Sequence, residues 1–260
     1  CYDCDMICHG GNMKKVLKSK CAFTLAEVLI TLGIIGIVAS LTLPALIQRK
    51  IEKSTIVKLQ KFTSTFENAF NMAIAEYGPV SQWFEGDVSQ AGDCHEVWNK
   101  IIPYMPPIVK DCTGKRGSKC FASTYYDRNG NQTYNSSEWS TGCKAIFSDG
   151  TAVILQHIPW RYGLFQNLGT AYGGFGVDLN GPTGPNKSGV DSFSFTLIEN
   201  GVIPTGDSNF SKYTWPPEIT ASPYGVTAWV VYNGNMDYLR CPDKLSWRGA
   251  HTCKEAENKK

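Results

Sequence analysis

Residues 20–44 read KCAFTLAEVLITLGIIGIVASLTLP, and this stretch decides the fold. From Phe23 to Ile47 the only ionisable side chain is Glu27. About 20 mainly apolar residues in helical form cross ~30 Å of hydrocarbon, so the run predicts a membrane-spanning helix. Lys14, Lys15, Lys18 and Lys20 precede it with no acid among them. A basic flank of this kind keeps its side of the span cytoplasmic, which places everything after the span outside. A cleavable secretory signal would end its apolar core after about 7–15 residues at an A-x-A-like site. This run is longer, and no such site follows it.

Beyond Pro44 the apolar residues recur at Ile47, Ile51, Ile56, Leu59, Phe62, Phe66, Phe70, Ala73 and Ile74. Steps of mostly three to five mark one face of a helix. Lys50, Glu52, Lys53, Lys58, Lys61 and Glu67 fall largely elsewhere on the wheel. Gly78-Pro79 stops the pattern. The expectation is one helix from Phe23 to Tyr77, roughly 80 Å at 1.5 Å per residue, apolar all round at first and amphipathic afterwards. Pro44 removes one helical hydrogen bond and predicts a bend.

From residue 79 short apolar or β-branched stretches alternate with turn signals. Lys144 to Leu155 reads as a hairpin around Ser148-Asp149-Gly150. Ser192 to Leu197 and Ala228 to Tyr232 read as strands, and Asp93 to Tyr104 as a short helix. The fold class expected is therefore α+β. A long N-terminal helix, transmembrane and then amphipathic, packs on a loop-rich, mainly antiparallel sheet head. The expected divisions are 1–12 as an upstream extension before a start at Met13, 13–22 as a basic leader, 23–47 as the span, 48–78 as its amphipathic continuation and 79–260 as the head.

The net charge of +2 carries no clustered basic face of the kind nucleic-acid binding requires. Of ten cysteines, Cys1, Cys4 and Cys8 precede Met13 and Cys21 lies in the leader. Cys94, Cys112, Cys120, Cys143, Cys241 and Cys253 remain. An even set beyond a membrane span indicates disulfides in an oxidising compartment. Six cysteines allow 15 pairings, and pairing between sequence neighbours is the expectation.

With Phe23 taken as residue one, Glu27 becomes the fifth, Gly36 the fourteenth and Pro44 the twenty-second. In this register the stretch resembles the N-terminal processing and methylation segment of type IV prepilins and type II secretion pseudopilins. That family has a basic leader, a small residue, Phe, Thr-Leu-x-Glu and an apolar helix. The likeness is tight over about 30 residues and does not cover the head. It departs from the pattern at Ala22, where the family usually has Gly. The resemblance implies cleavage between Ala22 and Phe23 by a prepilin peptidase, and N-methylation of Phe23. It also implies insertion as a single-pass protein of the inner membrane, with the head periplasmic or extracellular. Assembly with itself or with other pilins on an inner-membrane platform would follow. Glu27, Gly36 and Pro44 are the assembly residues so implied. An ionisable group at the centre of a membrane helix costs about 2.5–3.5 kcal/mol, and less near its end. Glu27 therefore needs a reason. Thr24-x-x-Glu27 has the spacing of a capping box, and the family implies an ion pair with the Phe23 amine of a neighbouring subunit.

In the head, Asp178-x-Asn180-Gly181 opens a Gly-rich loop, DLNGPTGPNKSGVD, that ends at Asp191. Its hard oxygens suit calcium, and Asp178, Asn180, Asn186 and Asp191 are the candidate ligands. The loop loosely resembles the calcium loop of the major pseudopilin. The alternative is a turn whose Asx side chains bond their own backbone. Asp127-x-Asn129-Gly130 repeats the opening and reads as a turn. His95, His157 and His251 are scattered, with no HExxH and no Gly-x-Ser-x-Gly, so no catalytic set is expected. The spaced Cys1, Cys4, Cys8 and His9 precede Met13. The seven tryptophans read as core. Tryptophans lining a cleft with clustered acids would instead make the chain a membrane-anchored carbohydrate-binding or adhesive module.

Overall fold

The computed structural model describes residues 24–83, 94–114, 119–135, 142–156, 171–207 and 225–258. By contacts the chain forms two units, 1–47 and 48–260. In the first unit, α1 (Leu25–Tyr77) begins. Its apolar side chains up to Ile47 are exposed, Leu25 at 78% and Ile37 at 65%. A helix that is apolar all round and buries none of it is matched to lipid rather than to water. Thr31, Ser40 and Thr42 each turn their hydroxyl onto a backbone oxygen of the preceding turn, those of Val28, Ile37 and Val38, so these polar atoms need no outside partner. α1 stays helical through Pro44. The missing N–H there frees the carbonyl of Ser40, four residues back.

In the second unit α1 buries Glu52, Thr55, Leu59, Phe62, Thr63, Phe66, Ala69, Phe70 and Ala73. From Leu59 onward this is the row that the periodicity predicts. Two turns earlier it differs: Ile51 is 47% exposed and Glu52 is buried, because a partner from the far end of the chain meets Glu52. The helix ends where Gly78 takes a positive φ of 78° and donates its N–H to the Ile74 carbonyl at 2.9 Å, a left-handed C-terminal cap that glycine adopts without strain.

The sheet consists of β1 (Ile108–Asp111), β4 (Cys143–Phe147), β5 (Ala152–Gln156), β6 (Ala171–Asp178), β7 (Ser192–Ile198) and β8 (Gly201–Pro204), in that spatial order and all antiparallel. A separate hairpin pairs β2 (Thr124–Tyr126) with β3 (Gln132–Asn135). Together with α1 this is an α+β, pilin-like arrangement. The hairpin read from Lys144 to Leu155 is β4–β5, and Gly150 at φ 86° closes its turn. β7 alternates buried and half-buried residues along its length. Its Phe195 stacks on Phe175 of β6 at 4.8 Å, and Phe175 stacks on Phe66 of α1 at 4.2 Å. This aromatic column joins the helix to the middle of the sheet.

α2 (Cys94–Ile101) appears where a short helix was expected. Ala228 to Tyr232 does not form the expected strand. It lies in α3 (Thr227–Asn233), which Gly234 ends in the left-handed conformation. Its β-branched and aromatic residues mimic a strand in composition, but Ala228, Trp229 and Val230 are fully buried, and burial overrides β-propensity. Gly206, at φ 89°, is required here: a Cβ on it would lie 1.8 Å from the Gly225 carbonyl oxygen. The two glycines let the chain before α3 press directly on the turn after β8.

The six head cysteines form Cys94–Cys143, Cys112–Cys120 and Cys241–Cys253. Cys112–Cys120 and Cys241–Cys253 join sequence neighbours, as expected, and Cys94–Cys143 does not. Strict pairing in chain order would have joined Cys94 to Cys112 and Cys120 to Cys143. Instead Cys112 leaves β1 beside β4, its N–H donating to the Lys144 carbonyl, and closes its own short loop, while Cys143 reaches α2. α4 (Cys253–Asn258) follows the third bridge.

Candidate functional site

The start of α1 is built by two side chains. The Thr24 N–H and hydroxyl both donate to Glu27 Oε2, at 2.9 and 2.8 Å, and the Glu27 N–H donates to Thr24 Oγ1 at 3.2 Å. This is a reciprocal capping box, which satisfies backbone donors that a helix start otherwise leaves orphaned. Both Thr24 bonds fall on one carboxylate oxygen, and an ionised carboxylate accepts at about four lone-pair sites. Capping Thr24 and accepting from a second amine are therefore compatible. A Cβ at Gly33 or Gly36 would meet nothing within 4 Å, so both positions offer room on the helix surface. Ala22 and Phe23 lie outside the described residues, as do the leader cysteine Cys21 and everything before it.

The structure also assembles a cluster that no sequence pattern announces. Arg240 Nη1 donates to both carboxylate oxygens of Glu52, at 2.8 and 2.7 Å, and Arg240 Nη2 contacts Asp237. The Glu52 side chain is 9% exposed and that of Arg240 48%. Asp237 Oδ2 in turn accepts the Cys253 N–H at 2.8 Å. The segment closed by Cys241–Cys253 is thus pinned to the middle of α1. The partners stand 188 positions apart in sequence, and no periodicity or motif spans such a gap.

The loop from Asp178 to Asp191 holds all four candidate ligands, each tied to it by bonds to the backbone. Asp178 accepts from the Tyr125 hydroxyl and from the Asn180 N–H at 3.1 Å. Asp191 accepts the Asn186 N–H at 2.8 Å and the Lys187 N–H at 2.7 Å. Both acids are buried. Burial raises the Asp178 carboxyl to about 7, against the pull of Tyr125, and the nearby Asp191 charge raises it further. Burial likewise raises Asp191, while the backbone N–H groups of Lys187 and Asn186 hold it down. The Asn180 amide nitrogen is spent on the carbonyls of Thr183 and Gly184, at 2.7 and 3.1 Å. The amide oxygens of Asn180 and Asn186 are buried with no donor within reach. Asx-turn bonding therefore accounts for the carboxylates, as the alternative reading requires, and leaves these two oxygens unexplained. At Asp127 the turn reading is complete, because its carboxylate takes the N–H groups of Asn129 and Asn131, both at 2.8 Å.

His95 lies near Cys94 and Cys143, but those sulfurs are joined to each other and are spent as thiolate ligands. His251 stands edge-on to Trp229 at 5.6 Å. Trp83, Trp98 and Trp229 are buried in the core and Trp247 packs on Trp229; Trp98 borders a small apolar cavity with Phe66, Phe147 and Phe175, and no acid lines it. His157, Trp139, Trp160 and Trp215 lie outside the described residues.

Two family models match the chain. The prokaryotic N-terminal methylation motif, the signature of type IV pilins and pseudopilins, covers residues 17–43. A family of unknown function (DUF6613) covers residues 45–245. No curated protein and no solved structure matches.

Proposed function

This chain belongs to the family of unknown function DUF6613, and we propose that it is a structural subunit of a type IV pilus-like or type II secretion filament. The observation that carries this reading is the methylation motif at 17–43, set on an exposed apolar helix that opens with the Thr24–Glu27 box. The leader is cut between Ala22 and Phe23, the new amine is methylated, and α1 anchors the subunit in the membrane until assembly draws it out. In the filament, Glu27 accepts the Phe23 amine of a neighbour. In a medium of low dielectric such a pair is strong enough to fix register. The test is co-expression of the full chain with a prepilin peptidase. Mass spectrometry is expected to find a mature chain that begins at methylated Phe23, and microscopy to find filaments. A chain left intact, or cut elsewhere, removes the reading.

We further propose that the loop from Asp178 to Asp191 holds a hard divalent cation such as calcium. The buried, donorless oxygens of Asn180 and Asn186 beside two buried carboxylates support this. Oxygen donors of this kind are what calcium takes. The cation would tie both ends of the loop and stabilise the head. Calorimetry on the purified chain should show calcium binding and a higher melting temperature, both lost in Asp178→Asn. Neither heat nor a change in melting would end the proposal.

A further inference from the structure

We propose that Arg49, Lys50 and Lys53 form a docking site for the anionic headgroups of the lipid leaflet on the head side of the membrane. The argument starts from charge. Residues 48–61 contain five cations, Arg49, Lys50, Lys53, Lys58 and Lys61, and one acid, Glu52. All five cations are exposed. At 3.6 residues per turn they centre on the side of α1 opposite the buried Leu59, Phe62 and Phe66. Glu52 does not cancel them: it faces inward, and Arg240 holds both of its oxygens. The charged side chains that this stretch turns outward are thus all cations.

Position selects the partner. The apolar run ends at Ile47, and Arg49 to Lys53 follow it in the same helix within about 9 Å at 1.5 Å per residue. Headgroups occupy roughly the first 5–7 Å beyond the hydrocarbon, so these three cations emerge at the level of the lipid phosphates. Lys58 and Lys61 stand about 16–21 Å beyond Ile47, roughly 10–15 Å past the headgroups and so one to two Debye lengths away at physiological salt. They sense the surface weakly. The alternative occupant, an acidic face of a second subunit, would use all five.

The proposal rests on the membrane-anchored reading above, and the test separates the two. The full chain is reconstituted in vesicles, and spin-labelled phosphatidylglycerol and phosphatidylcholine are compared for the fraction immobilised by the protein. Wild type is expected to select phosphatidylglycerol several-fold, up to about fivefold per cation in contact. Arg49→Gln/Lys50→Gln/Lys53→Gln is expected to lose most of that selectivity. Lys58→Gln/Lys61→Gln should keep it, and so should the charge-conserving Lys50→Arg/Lys53→Arg. Unchanged selectivity in the triple variant overturns the proposal. Equal losses in the triple and double variants overturn it too and point to a protein partner. If the chain inserts but shows no lipid preference, the docking site falls while the anchor stands; failure to insert removes both.

Discussion

Glu27 answers two demands with one carboxylate. Its Oε2 caps the first turn of α1 through Thr24, and the proposed filament asks it to receive a neighbour's amine. The two roles separate by mutation. Thr24→Ala should cost the cap alone, about 0.5–2 kcal/mol of helix stability, and leave assembly near normal. Glu27→Ala should insert into the membrane normally and fail to assemble. Filament yield measured for both variants checks this: equal losses would assign the effect to the cap, and normal filaments from Glu27→Ala would sink the pairing. The spacing Thr24-x-x-Glu27 made the box legible in the sequence because a capping box is local. Asn180 and Asn186 were also legible as loop residues, yet nothing in the sequence says that their oxygens are buried.

At the scale of elements, α1 was readable from end to end: an apolar run, a helical stripe and a Gly-Pro stop. The stripe failed before Leu59: Ile47 is exposed, Thr55 is buried beside a half-buried Ile56, and Ile51 is exposed where Glu52 is buried. Arg240 decides that turn, and it arrives by a tertiary contact. Arg240→Ala leaves the Glu52 carboxylate buried without its partner, a loss of about 1–3 kcal/mol, since Arg240 itself is half exposed and screened by solvent. Replacing both residues together should recover part of this, because no buried charge then remains unpaired. Denaturant unfolding of the full chain and its variants measures the cycle. A single-variant loss no larger than that of an ordinary surface arginine would count against the clasp. α3 is the converse case. Its β-branched and aromatic residues read as a strand, yet it is a helix whose Trp229 is fully buried and whose approach lies against the turn after β8 at Gly206 and Gly225.

Across the whole molecule, the disulfides tie separate elements. Cys94–Cys143 spans 49 residues and Cys112–Cys120 spans 8. If cross-links act by limiting the unfolded chain, the longer one is worth about 1.5 kcal/mol more. Cys94→Ala/Cys143→Ala should therefore unfold at lower denaturant than Cys112→Ala/Cys120→Ala, and the reverse order would show that native contacts dominate. The even cysteine count was open to sequence reading, but the connectivity was not. Cys112 follows β1 directly and Cys143 begins the adjacent β4, and which partner each reaches depends on where α2 packs.

The sequence by itself determined the membrane segment, the processing motif, the length of α1 and the β4–β5 and β7 strands. Each of these is written in spacings of a few residues, where backbone geometry alone sets the pattern. The tertiary structure decided the pairing of Cys94 with Cys143, the helical state of α3 and the inward turn of Glu52 toward Arg240. These depend on which distant surfaces are buried against each other, and a burial energy shared between residues far apart in the chain leaves no local period to read.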